Sequence, residues 1–400
     1  MKINGKAVLA ILLCVGILGL LVMELKKRPV PVEEFHEEPA ISEETVDKAR
    51  VDQMKFQKMT PSMLRLQWLS SEEGPEQYRI MRKTLAYDNE NNSPEEDWQE
   101  VGIIPAGDIS TEQEIVFDDL LPDDRPRQFL YRVDEEYGDH EIRKGTELLA
   151  SNVSVCIDPG HYRNASELRC TNTFGYDEGT NMLEVGLLLR EFLLKKYGIT
   201  SRMTREEDDI TIGGYTNGEL DNYHISLRGE SAFGDDLFIS LHSNSNLDNA
   251  NGYMTEEQPI AINKTIIFLN HQAQKTERFY EMANAIGTKL TKVNDSYGLG
   301  AGGFVEVHSE DALRPWDDSY NDSLEQTGTV CFRDGDNGDD YYGVLRGSSQ
   351  IGVPGMIVEH GHHSVERVRK LCMQSDLSRK WAQADADGIA KGFGFRTITS

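Results

Sequence analysis

From about residue 152 onward, short apolar runs with strand character alternate with amphipathic runs at helical spacing, which restricts this part of the chain to an α/β architecture. The runs 153–157, 237–241, 266–269 and 356–358 read as strands, and 181–197, 276–293 and 378–393 read as helices. The first helix carries Leu183, Leu187 and Leu194 on one face. The expected fold is a mostly parallel twisted sheet flanked by helices, and such sheets form their sites at the carboxyl ends of the strands. Three of the runs end there in a metal-capable residue: His161 after Asp158-Pro159-Gly160, His242 after 237–241, and Glu359 after 355–358. Glu184, in the first turn expected for the helix beginning near Asn181, is a fourth candidate. Two imidazoles and a carboxylate suit zinc with one position left open, and a further carboxylate suits a general base.

Taken singly, each residue has a plainer reading. His161 and His242 read equally as loop and strand-end histidines, and Glu184 as a solvated helix position. Glu184 is flanked by Leu183 and Val185, however, where a lone carboxylate is costly unless paired. Glu359 directly follows an apolar strand, an unusual place for a surface charge.

The preceding region, 51–150, has the texture of a small antiparallel sandwich: alternating runs at 64–68, 78–82, 98–103, 114–117 and 129–133, with a polar, proline-bearing turn at 118–127. Trp68 on an early strand, Tyr78 and Ile80 on the next, and Leu121-Pro122 ahead of Tyr131-Arg132-Val133 resemble the landmarks of a fibronectin type III domain. Such domains serve as spacers or binding modules, and no catalytic constellation is present here.

Residues 29–50 are Glu- and Pro-rich and read as an acidic linker. Before them, 1–28 reads as a short stub with a membrane anchor. The stretch 7–23 is almost wholly apolar, about 17 residues at the short end of a bilayer span; a signal peptide with secretion after cleavage is the competing reading, but no small-x-small cleavage site follows the stretch. Sixty-eight acidic against 41 basic side chains give a net charge of -27, which argues against nucleic acid as a partner. Five cysteines without a CxxC pair argue against a thiolate zinc knuckle, and Cys170, Cys331 and Cys372 leave room for one disulfide.

The ordered set Ile157-Asp158-Pro159-Gly160-His161, Asn181 to Glu184, Met203-Thr204-Arg205, Leu227-Arg228-Gly229, Ile239 to Asn244, Gly343 to Arg346 and Pro354 to Gly361 resembles the zinc-dependent N-acetylmuramoyl-L-alanine amidases of the amidase 3 type. The resemblance covers 151–400 and implies one zinc ion, held by His161, Glu184 and His242, with Glu359 as the catalytic glutamate. It ranks Glu184 ahead of Asp177 and Glu178, which lie in a glycine-flanked stretch. It also puts Arg205, Arg228, Asn244 and Arg346 at recurring polar positions and implies substrate binding for them, with Arg346 suited to a stem-peptide carboxylate; the plainer reading of Arg205, Arg228 and Asn244 is structural, as arginines paired within the scaffold and an asparagine capping a turn. The implied reaction is hydrolysis of the amide bond between N-acetylmuramic acid and L-alanine in peptidoglycan, which places the catalytic domain outside the cytoplasmic membrane. A zinc peptidase acting on wall stem peptides and a non-catalytic wall-binding protein are the alternatives. Tyr162-Arg163-Asn164 departs from the family's usual glycines and acid after the histidine. The stretch 295–340 is too rich in Gly and Asp to suggest an inhibitory helix, and with 244–259 it reads as long loops around the site.

Overall fold

The computed structural model describes residues 53–71, 74–86, 96–107, 109, 112–138, 140–165, 171–173, 175–245, 258–300, 302–317, 323 and 326–397. The expected anchor at 7–23 and linker at 29–50 lie outside these residues, as do Cys14 and Cys170. Among the described residues no helix is long and apolar enough to cross a membrane.

Eight strands fold into two antiparallel sheets between Lys55 and Ser151. β1 (Lys55–Thr60), β2 (Met63–Leu69) and β5 (Glu114–Leu120) form one sheet. β3 (Gln77–Thr84), β4 (Gln99–Pro105), β6 (Gln128–Glu136), β7 (Ile142–Arg143) and β8 (Leu148–Ser151) form the other. Alternation explains the pairing: Leu64, Leu66, Trp68, Tyr78, Ile80, Phe129, Tyr131 and Val133 face one core, and their neighbours face out. The turn expected at 118–127 begins later, because β5 runs through Leu120. Two acidic residues there have strand partners that the sequence pattern hides. Asp118 pairs with Arg65 across the strands at 2.7 Å, and buried Asp119 takes Arg82 at 2.8 Å and the Tyr131 hydroxyl at 2.6 Å.

The α/β part follows β8 after only two residues, and polar contacts lock the junction. The Gln128 side chain accepts from the Arg396 amide at 2.8 Å and donates to the Tyr197 carbonyl at 3.1 Å. Asn152 donates to the carbonyls of Pro61 and Arg125, and Lys58 reaches Asp236. These bonds satisfy backbone groups at a buried crossing.

The α/β part is built on an eight-stranded sheet: β9 (Ser154–Pro159), β10 (Thr200–Met203), β11 (Leu237–Asn244), β12 (Ile266–Leu269), β13 (Phe304–Val305), β14 (Arg314–Pro315), β15 (Gly328–Phe332) and β16 (Gly355–His362). Their order is β10-β9-β11-β16-β12-β15-β13, with β14 also on β15. All neighbours are parallel except β12 and β16. The stretch expected as loop from 295 to 340 therefore supplies strands to this sheet. Val330 and Cys331 of β15 are apolar enough to be buried although the flanks are rich in Gly and Asp.

Both faces are covered, as the period-2 pattern requires. Val155, Ile157, Leu237, Ile239, Leu241, Met356 and Val358 belong to one core, shared with α1 (Glu178–Tyr197), α4 (Glu277–Ser296) and α7 (Leu377–Phe393). Between these helices in sequence lie α2 (Asn217–Tyr223), α3 (Ser226–Glu230), α5 (Gly343–Gln350) and α6 (Glu366–Gln374). Cys156, Phe238 and Ile357 face the opposite core with Ala232, Val344 and Leu345. Continued two residues at a time, this second face carries Asp158, Ser240, His242 and Glu359 toward the carboxyl ends. Cys156, Cys331 and Cys372 are free and buried.

Candidate functional site

Helix α1 decides the site. Its N-cap is Asp177, whose carboxylate accepts from the Thr180 amide and hydroxyl, so the helix begins at Glu178, three residues before the expected start. Glu178 thereby falls in the first turn and is 1% exposed. Glu184 lies six residues on, about 240° around the axis, and is exposed to solvent. The carboxylate beside the two histidines is Glu178, and the assignment of Glu184 to the metal set is corrected accordingly.

His161, Glu178 and His242 offer one ligand atom each within 4.8 Å of one another. Glu178 Oε2 is 3.5 Å from His161 Nε2, and its Oε1 is 3.2 Å from His242 Nδ1. The imidazole rings meet edge to face at 4.9 Å. His161 holds a left-handed backbone conformation, φ 57°, uncommon for a non-glycine residue and found where a site imposes it. The preceding Gly160 leaves no room for a side chain: a Cβ would lie 2.5 Å from the His242 ring and 2.5 Å from the Leu241 carbonyl.

Hydrogen bonding fixes the His242 tautomer. Ser240 donates to Asp158 Oδ2 at 2.7 Å, so its oxygen is left to accept from His242 Nε2–H at 3.1 Å. His242 Nδ1 then carries a bare lone pair toward Glu178 Oε1, itself already accepting from the Ser243 amide at 2.8 Å. Two acceptors facing each other fit a shared cation, and the donor set of two nitrogens and one carboxylate suits zinc. Burial, before any other influence, pushes both imidazoles down to about 4, so they are neutral and free to ligate at neutral pH.

Asp158 anchors this arrangement. Burial works against its charge, but the Arg228 guanidinium above all, with the Thr204 and Ser240 hydroxyls, holds its carboxyl below the usual range. Arg228, 2% exposed, also binds Asp221 at 2.9 Å and the Pro159 carbonyl at 2.7 Å. Arg205, 4% exposed, donates to the carbonyls of Pro159, Gly160, Gly179 and Glu207. Both arginines hold the backbone that carries His161 and Glu178, and their expected place in substrate binding is corrected to this one. Asn244 ends β11, partly exposed, and accepts from the His363 amide through its carbonyl. Arg346 on α5 donates to the Asp340 carbonyl at 3.0 Å and remains partly exposed.

Glu359 stands in register with His242 on the neighbouring parallel strand. Its side chain is partly buried, and its Oε2 is sealed from solvent without a hydrogen-bond partner. Burial, and then the Glu178 carboxylate, pushes its carboxyl well up. His360, His362 and His363, which follow Glu359, are all buried. His363 Nδ1 lies 2.9 Å from Ser243 Oγ, and the Tyr176 ring stacks on its imidazole. The sequence pattern ranks Glu178 behind Glu184, and it gives no sign of the parts played by Ser240 and Asp158. The one local signal for Glu178 was Asp177 three residues ahead of Thr180, an N-cap pattern that starts the helix early.

A mostly parallel α/β sheet with two imidazoles and two carboxylates gathered at the carboxyl ends of its central strands has the layout of a hydrolytic enzyme. Residues 155–391 match the family described as Amidase_3, N-acetylmuramoyl-L-alanine amidase, and the chain belongs to that family. Among solved structures it is similar to Cwp6 from Clostridium difficile, at 19% identity over 60% of this chain and 29% of that one, TM-score 0.39. It is similar to the catalytic domain of CwlV, an N-acetylmuramoyl-L-alanine amidase from Bacillus (Paenibacillus) polymyxa var. colistinus, at 18% identity over 60% and 97% of the two chains, TM-score 0.38. The amidase AmiC2 of Nostoc punctiforme matches at 18% identity over 60% and 97%, TM-score 0.37. The chain thus spans less than a third of Cwp6. No curated protein matches it.

Proposed function

We propose that this chain hydrolyses the amide bond between N-acetylmuramic acid and L-alanine in peptidoglycan, with zinc held by His161, Glu178 and His242 and with Glu359 as general base. The observation that carries the reading is the meeting of bare acceptors at one strand edge: His242 Nδ1 against Glu178, with the unpartnered Glu359 Oε2 on the adjoining strand, in a chain of this family. Bound there, zinc would supply Lewis acidity toward the scissile carbonyl and lower the pKa of water to about 7. Glu359 takes the proton from the attacking water and returns it to the L-alanine nitrogen, as the carbon–oxygen bond forms and the carbon–nitrogen bond breaks. Its raised carboxyl would be pulled back down by a neighbouring divalent cation, which suits a base that must both accept and release a proton. Arg346 would hold a stem-peptide carboxylate, and Asn244 would flank the substrate at the end of β11.

The test is digestion of purified peptidoglycan by the soluble part from about Thr45 onward, with and without chelator, read by mass spectrometry. Free stem peptides with a new L-alanine amino terminus, lost on chelation and restored by zinc, are expected. Cleavage within the peptide would replace the amidase by a zinc peptidase, and binding without cleavage by a wall-binding protein.

The close approach of Gly160 to His242 yields a sharper expectation. Gly160→Ala must push the His242 ring aside, and zinc affinity in a chelator competition should fall by roughly tenfold or more. Unchanged affinity would mean that the ring has room to move.

Placement follows from the substrate: the apolar stretch 7–23 anchors the chain with its N-terminus inside and both folded parts outside. Protease added to intact protoplasts should remove residues 51–400, and protection of that region would reverse the topology. The fibronectin type III-like reading of 51–150 is supported by its three-stranded and five-stranded sheets around one core, and assigns it the part of spacer or binding module.

A further inference from the structure

We propose that His360 and Asp385 form a positioning pair that fixes the backbone of His242 and thereby sets how tightly the His161–Glu178–His242 group holds its ion. The proposal rests on the metal reading above and concerns residues outside that set. Between β11 and β16 the register slips: His242 pairs with Glu359 and Asn244 with His362, so two steps on one strand face three on the other. Such a bulge interrupts the ladder and re-aims side chains beside it. His360 stands at this break, fully buried, on the face opposite Glu359. Its Nδ1–H donates to the His242 carbonyl at 2.9 Å, and its Nε2–H donates to Asp385 Oδ2 at 2.8 Å. The ring lies 5.2 Å from that of Trp381, and the His360 carbonyl accepts from Asn294 at 2.9 Å. One residue therefore ties α4 and α7 to the backbone of a candidate ligand, directly beside the candidate base.

Packing alone is a poor account of this pair. Asp385 is 0% exposed and its Oδ1 has no partner, so the pair leaves a buried polar atom unsatisfied. Apolar residues of similar volume commonly serve a core as well as a buried ion pair does. What they lack is a directional hold on a carbonyl. Together with Ser240 and Asp158 on its ring, His242 is held from two sides, each ending on a buried aspartate.

The test uses the full chain purified in detergent, as wild type, His360→Gln, Asp385→Asn and Ile389→Ala. Ile389 is a buried apolar residue one turn further along α7, so its loss loosens the same helix without removing a polar contact. Zinc affinity is measured by chelator competition, ligand geometry by the visible spectrum of the Co2+ form, and stability by thermal unfolding. His360→Gln and Asp385→Asn should weaken zinc by about tenfold and alter the Co2+ spectrum, while Ile389→Ala lowers only the melting temperature. Should His360→Gln not fold, the nearly isosteric Asp385→Asn gives the same comparison. Wild-type affinity and spectrum in both polar variants, or an equal change in Ile389→Ala, would overturn the proposal. A wild-type chain that binds neither ion would instead overturn the metal reading on which it stands.

Discussion

Glu178→Ala should abolish stoichiometric zinc binding and with it peptidoglycan cleavage, whereas Glu184→Ala should leave both at wild-type levels. The two carboxylates sit six residues apart on one helix, and their environments are opposite. Glu178 is 1% exposed, touches both histidines and takes the Ser243 amide; Glu184 points to solvent. Removing a ligand from a three-residue set leaves two imidazoles, too few to hold the ion against a chelator. Metal content after dialysis, together with product release, reads the result. Retained zinc in Glu178→Ala, or lost zinc in Glu184→Ala, would return the ligand role to Glu184.

Glu359→Gln should keep the metal and lose turnover, by about 10²–10⁴-fold in kcat. The amide has nearly the shape of the acid but cannot take a proton from water. Glu359 lies beside the histidine set without belonging to it, since the close group of ligand atoms comprises His161, Glu178 and His242 alone among the described residues. Equal zinc loss in Glu359→Gln and His242→Ala would make Glu359 a ligand and leave the base unassigned.

The legibility of the site residues in the sequence has a physical origin. His161, His242 and Glu359 were legible because strand ends are written locally: an apolar run with period 2 stops, and the next polar residue stands at the sheet edge. The same period, continued past the apolar residues, puts Asp158, Ser240, His242 and Glu359 on one face. The carboxylate beside the histidines is harder to place, because helix starts are written weakly. The difference between a start at Glu178 and one at Asn181 lies in a single cap, Asp177 to Thr180, and three residues of helix turn a carboxylate from the sheet to solvent.

Arg205 and Arg228 show the opposite limit. Their positions could be seen, but a guanidinium aimed at substrate and one aimed at backbone carbonyls have the same sequence signature. Only the burial of both side chains and their bonds to Pro159, Gly160 and Gly179 separate the two. Strand β15 was hidden in the same way, since five residues between Gly- and Asp-rich flanks become a strand only when β12 and β13 lie beside them.

The sequence by itself determined the layer order: antiparallel strands before 151, alternating strands and helices after it, and the two histidines and the glutamate at strand ends. Those features depend on local periodicity, which each segment carries within itself. Tertiary structure alone decided that Glu178 rather than Glu184 joins the histidines, that two arginines serve the backbone, and that His360 reaches the His242 carbonyl across a bulge. Each of these depends on contacts between segments distant in the chain, where a shift of one register step or one helical turn changes the partner while the local pattern stays the same.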